Sequence, residues 1–404
     1  MKKIYEQFFT IVGNFTGDCC KPIGDFSCSD WQTLFEISSQ QKLECAVYES
    51  VYNTPSFEAA EKQLREEWKT LVKRRYLFEV GKVERFWDIY ETLTGAGVQP
   101  LVLKGVVCRF LYSKPYARPS GDEDLLVRKE DLKKCHLVLK EMGLKRASDS
   151  DGNVLKYMDV STGLQIEVHK SLFEETDSVG SYFNTWFENA FKMSEMVETD
   201  GHSIITMEPT YHLLYLFAHW IKHFVGPGIG IRQICDISKF INKWGESIDW
   251  EVIAEKMCGQ KYGLLCANVI EIGIQYFHME RDKVGYPETM LAKAEPEALM
   301  VDLLKAGIYG SSSVSRLHSS TITLGAVEGN GSKLHIIFPE AKSLEKRYPY
   351  LKRCPWLLPI AWVSRLLSYG IEVIKNRRGS NSPGESIAIG SERVRLLKKY
   401  RVIK

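Results

Sequence analysis

Residues 118–127 read RPSGDEDLLV and residues 164–172 read LQIEVHKSL. Side chains alternate across a strand, so Asp122 and Asp124 share one face while Glu123 points to the other. Two acids on a strand often mark only a solvated face, but Leu125, Leu126 and Val127 follow directly and make this strand a buried one. In the second run Ile166 and Val168 flank Glu167, which predicts a buried acid, and such an acid needs a cation or a donor beside it to stay charged. His169 shares the face of Glu167 and either orients a ligand, contacts a substrate or is a packed, satisfied histidine.

Working outward, VQPLVLKG (98–105) reads as a short buried strand feeding a helix at Gly105. EDLKKCHLVLKEMGL (130–144) reads as a helix stopped by Gly143, VLKYMDV (154–160) as a strand joined to the next at Thr162-Gly163, and TDGHSIITM (199–207) as the second arm of an Asp-Gly hairpin. A few short strands with helices to one side predict an α+β sheet over residues 96–208.

Residues 1–95 read as an N-terminal helical region, with Trp68, Leu71, Tyr76, Phe78 and Val83 at helical spacing. Residues 209–308 read as a helical domain with candidates at 211–224, 231–244 and 251–277. Residues 309–334 have the Ser- and Gly-rich composition of a flexible connector, as do 377–386, and 335–404 read as a basic helical tail. No repeat of fixed period is visible.

The 404 residues are 44% apolar and 26% charged, an ordinary globular balance with room for a large core. Ten scattered cysteines without a paired metal spacing read as reduced thiols, and the N-terminus lacks the apolar run of a secretory signal, so cytoplasm is the expected compartment. A net charge of +2 does not point to nucleic acid, yet residues 340–404 hold fifteen Lys/Arg against five Asp/Glu. That tail faces something anionic or the acidic remainder of the chain. Residues 354–374 approach membrane-spanning length, but Pro355, Pro359, Arg365 and Glu372 interrupt them, so the segment is amphipathic and surface contact with anionic lipid is one expectation.

The chemistry gathers around the acids. Two carboxylates on one strand face suit a hard cation such as magnesium, which takes a few carboxylate oxygens together with phosphate oxygens and water, and Glu167 is the expected third ligand. Lys104 and Gly105 close a strand and open a helix, where backbone N–H groups favour phosphate. Arg118 and Gly121 place a guanidinium and a flexible backbone beside the acids.

The chain resembles the uncharacterised nucleotidyltransferases of the DNA polymerase beta superfamily in LVLKG (101–105), RPSGDEDLLV and IEVH (166–169), with further likeness in HWIKH (219–223), IRQICDIS (231–238) and the Arg-Tyr-Pro at 347–349. The resemblance implies a small mixed nucleotidyltransferase sheet with flanking helices. It also implies a phosphate contact at Gly105, metal binding by Asp122 and Asp124, and completion of the set by Glu167. Gly105 is followed by Val106 where that superfamily carries Gly or Ser.

Nucleotidyl transfer calls for two metal ions about 4 Å apart, magnesium or in its place manganese, and a nucleoside triphosphate. The acceptor is a small molecule, peptide or protein in preference to nucleic acid, since the basic tail lacks the interleaved aromatics that stack bases. His212, His219 and His223 fall on one helical face, and with Arg232 they line a cleft or touch nucleotide. With Asp236 the same histidines offer a rival reading as a metal-dependent phosphohydrolase, and a catalytically silent nucleotide-binding or scaffold protein is a third.

Overall fold

A computed structural model describes residues 3–17, 19, 21–147, 152–174, 178–226, 228–259, 261–307, 314–327, 341–344, 348–364 and 383–403. The strands are β1 (Leu101–Leu103), β2 (Glu123–Leu126), β3 (Lys145–Arg146), β4 (Val154–Met158), β5 (Gln165–His169), β6 (Ser194–Thr199) and β7 (His202–Met207). They form one sheet in the order β3-β4-β5-β2-β1-β7-β6. The β2–β5 and β1–β7 pairs are parallel and the remainder antiparallel, so the sheet is mixed and the class is α+β with helical flanks.

The sequence pattern locates five of these strands; β6 is implied only as the other arm of the Asp-Gly hairpin, and β3, only two residues long, carries no periodic signal. The β6–β7 hairpin turns at Asp200 and Gly201, both at positive φ as a tight Asp-Gly turn requires. Asp122 lies just before β2 rather than within it.

The N-terminal helices are Lys3–Gly17, Cys28–Gln40, Glu44–Val51 and the 34-residue Lys62–Gly95. Ser27 and Asp30 cap the second of these reciprocally, each side chain taking the other's backbone N–H. The long helix lays Val83, Phe86, Tyr90 and Leu93 on one face of the sheet, against Val102, Leu125, Ile166, Val168 and Ile204.

Of the residues expected to face its core, Trp68 and Val83 are buried, Leu71 and Tyr76 are half-buried, and Phe78 is 44% exposed. Phe78 covers the β4–β5 turn instead, with its ring where a side chain at Gly163 would lie. The buried stripe is continued by Glu79 and Lys82, two charged residues that an apolar periodicity skips.

Residues 1–220 and 231–300 form one compact unit; residues 221–230 and 301–404 form a second. In the first, the sheet is followed by helices Arg232–Trp244, Trp250–Gly259 and Gly263–Tyr276. The single helix expected over 251–277 is two, because Lys261 takes a positive φ and Gly263 packs directly on Cys258.

In the second unit the Ser-rich composition proves misleading. Val314–Val327, inside the expected connector, is a helix packed along helix Pro383–Lys399. Gly390, on the latter helix, allows close approach: a Cβ there would come within 2.6 Å of Ile322 Cδ1. The rest of 309–334, and 377–382 of the other Ser/Gly-rich stretch, lie outside the described residues.

Candidate functional site

The face of the sheet opposite the long helix carries the acids. Because β2 and β5 run parallel with Asp124 opposite Glu167, the two carboxylates rise side by side, and His169 follows two residues on along β5. Ligand atoms of Asp124, Glu167 and His169 all lie within 4.8 Å of one another, the only such group of three or more metal-ligand types among the described residues.

Asp124 is buried. Its Oδ1 lies 2.7 Å from His169 Nε2 and its Oδ2 lies 2.8 Å from Lys104 Nζ. Burial would raise its carboxyl, but the Lys104 ammonium and the His169 hydrogen bond outweigh it and hold the group well below the usual carboxylate range. Glu167 meets Lys156 Nζ at 3.0 Å, across the β4–β5 register, and accepts from Gln165 Nε2 at 2.8 Å.

Asp122 stands beside this group rather than in it. Burial pushes its carboxyl up, the Lys104 ammonium opposes that, and the charges of Asp124 and Glu167 add to it. The three sequence-expected acids thus share one electrostatic neighbourhood, with His169 the closer third partner to Asp124 and Glu167. When His169 Nε2 donates to Asp124, its Nδ1 is left buried without a hydrogen-bond partner.

Lys104 sits at φ 29° and ψ −101°, a backbone conformation rare for a residue with a side chain. The chain is pinned there by His212, whose Nε2 accepts the Lys104 N–H at 3.2 Å. The other His212 nitrogen, Nδ1, therefore carries the proton and faces Thr206 Oγ1 at 3.2 Å, and that hydroxyl donates to the Val102 carbonyl at 2.7 Å. Burial drives the imidazole pKa down to about 3, so His212 is neutral. With both nitrogens engaged it has no lone pair for a metal.

Next to Lys104, Gly105 answers to Glu123. A Cβ at Gly105 would collide with the Glu123 carboxylate, which accepts the Val106 N–H at 2.9 Å. A backbone donor at the start of the five-residue helix Gly105–Arg109, where phosphate was expected, is already given to a carboxylate.

His219, on helix Pro209–Val225, reaches the cluster through Lys104, with Nε2 2.9 Å from Nζ. Tyr215, one turn earlier, lies tilted against it at 5.8 Å between ring centroids and feels the charges of Asp124, Lys104, Asp122 and Glu167. His223 lies one turn further along, half-buried, and is counted in the second unit. The histidine stripe is real as geometry but divided in role.

Arg118 does not join the acids. Its guanidinium is buried and holds Asp236 through two bonds of 3.0 and 2.8 Å, with Tyr112 donating to the same carboxylate at 2.9 Å. This pairing removes Asp236 as well as His212 from the phosphohydrolase reading. Arg232 donates to the Pro119 carbonyl, and its charge reaches Asp122. Gly121 is exposed, with open space where a side chain would project.

These contacts belong to a buried clamp on the loop before Asp122. Arg109 donates to the Arg118 carbonyl at 2.8 Å, Arg232 takes that of Pro119 and Lys82 that of Ser120, while Glu79 accepts the Ser120 N–H at 3.2 Å. Glu79 joins the cations together, at 2.6 Å from Arg109 and 3.3 Å from Lys82. Sequence reasoning missed Glu79, Lys82, Arg109, Glu123 and Lys156. Lys156 alone had a readable signal, since a hairpin turning at Thr162-Gly163 sets it opposite Glu167.

A mixed sheet with paired acids on adjacent parallel strands and a lysine over them suits chemistry on phosphate. Residues 27–268, more than half of the chain, match the model of a family described as uncharacterised nucleotidyltransferase. The chain belongs to that family, and nucleotidyl transfer is the reaction class to which the family assigns it. No curated protein and no solved structure matches it.

Proposed function

We propose that the chain moves a nucleoside monophosphate from a nucleoside triphosphate to a hydroxyl-type acceptor, in a divalent-cation-dependent reaction of the polymerase beta kind. The observation that carries this reading is the register pairing of Asp124 with Glu167, with His169 closing the group to within 4.8 Å. The donor set fits the cation: carboxylate oxygens suit magnesium, and an imidazole beside them also suits manganese. When bound, such ions neutralise phosphate charge and favour the deprotonated acceptor.

The residues take distinct parts. Asp124 and Glu167 hold the cation with Asp122 as the flanking acid, and His169 orients Asp124. The acceptor oxygen attacks the α-phosphorus, the bond to the pyrophosphate oxygen breaks, and the acceptor proton leaves to a nearby base or water. Lys104 is the phosphate contact: its ammonium, 2.8 Å from Asp124, passes to the triphosphate as the substrate enters. His219 receives or steers that ammonium, and the clamp of Glu79, Lys82, Arg109 and Arg232 fixes the loop that presents Asp122.

The test is incubation with each α-labelled nucleoside triphosphate and magnesium or manganese, offering small-molecule, peptide and protein acceptors and following the label. Asp124→Asn should lower pyrophosphate release by at least about 10²-fold, the scale of losing a preorganised electrostatic group, with the melting curve little changed. Unaltered turnover in that variant refutes the site, and absence of nucleotide binding in a magnesium titration favours the silent-scaffold reading.

A further inference from the structure

Within the second unit, residues 348–364 contain no Asp or Glu. Two short turns, Pro349–Lys352 and Pro355–Leu357, lead into a helical stretch over 358–364. One side of this segment builds a small core in which Leu351 and Ala361 are buried with Leu344, and Leu357, Leu358 and Trp362 pack against them.

The other side is apolar as well, and it faces water. Trp356 is 75% exposed, Ile360 58% and Val363 57%, at a spacing of four and three residues that sets them on one helical face. Lys352 and Arg353 are exposed at the near end of the same segment, and neither pairs with an acid among the described residues. An exposed apolar stripe edged by cations and free of acids is costly in water and calls for an anionic, apolar counterpart.

We infer that this face is a docking surface for an anionic lipid bilayer. Trp356 sits at the headgroup level, Ile360 and Val363 enter the acyl boundary, and Lys352 and Arg353 meet lipid phosphate or carboxylate. Lipid suits the charge of the whole region, since residues 340–404 hold fifteen Lys/Arg against five Asp/Glu. The contact lies on the surface: among the described residues no helix is long and apolar enough to cross a membrane. The inference stands apart from the nucleotidyltransferase site and survives or falls without it.

The test is flotation of the full chain with vesicles of phosphatidylcholine alone and of phosphatidylcholine with roughly one-third phosphatidylserine. The expected result is partition onto the anionic vesicles only, weakened by salt. Replacing Trp356, Ile360 and Val363 together with Ser should lower that partition at least about tenfold, and Lys352→Gln with Arg353→Gln by about fivefold for each cation removed, with unchanged melting curves. Equal partition onto neutral vesicles, no partition, or full partition by the triple variant overturns the inference. If the triple variant instead abolishes self-association in sedimentation, the face joins two copies of the chain and the lipid assignment is wrong.

Discussion

Lys104 holds Asp124 with its ammonium and gives its backbone N–H to His212. The side chain can leave while the backbone stays, because the two are anchored by different partners. On the proposed function, a divalent ion taking the Asp124 oxygens would first displace the ammonium, and Lys104 would act as a resident counter-cation that metal and nucleotide remove together. Lys104→Met should therefore bind manganese in the absence of nucleotide about tenfold more tightly than the parent protein, a shift of one decade worth about 1.4 kcal/mol. Electron paramagnetic resonance of the free ion reads this directly. If both proteins bind manganese equally, and Asp124→Asn abolishes it, the site stands and the displacement idea fails.

The residues that strand alternation can address were legible: Asp124, Glu167 and His169 share a face because a period of two says so. His212 was misread for an equally physical reason. Its spacing from His219 is visible in the sequence, but its partner is the amide of Lys104, and a backbone partner has no letter of its own.

At the level of elements, the long helix Lys62–Gly95 does more than cover the sheet. From its buried face Glu79 and Lys82 reach the loop before β2, where charged side chains from three separate segments hold successive carbonyls. Arg109 is fully buried, and Glu79 is its closest anion. Glu79→Ala leaves Arg109 and Lys82 buried without that partner and should cost about 3–5 kcal/mol in urea unfolding. Replacing Glu79 and Arg109 together with Met should cost less than Glu79→Ala alone, and a double variant that is the worse of the two would show that the pair does not act as a unit.

This clamp is the part of the candidate site least readable beforehand. Helical periodicity assigns charged residues to water, and a buried ion network runs against it. The strands are more readable, since short apolar runs separated by Gly-containing turns fix most of their positions along the chain.

At the scale of the whole molecule, the second unit includes residues 221–225, the end of helix Pro209–Val225. There Arg393, from helix Pro383–Lys399, donates to the carbonyls of Phe224 and Gly226, satisfying acceptors that a helix end leaves open. Helix Pro383–Lys399 lies in the expected helical tail, but the Ser-rich composition of its partner suggested a loose connector where Val314–Val327 packs closely along it.

The set of internal counter-charges around Asp124 and Glu167 has a practical consequence. Lys104 already pairs with Asp124 and Lys156 with Glu167, and His169 adds a hydrogen bond to Asp124, so these two acids do not depend on a metal ion for a partner. Exhaustive chelation should silence turnover yet move the thermal midpoint by less than about 1 °C, under about 1 kcal/mol for a chain of 404 residues, and activity should return on adding magnesium back. A collapse of the melting curve on chelation would mean that the ion, rather than the chain's own lysines, keeps this corner of the sheet together.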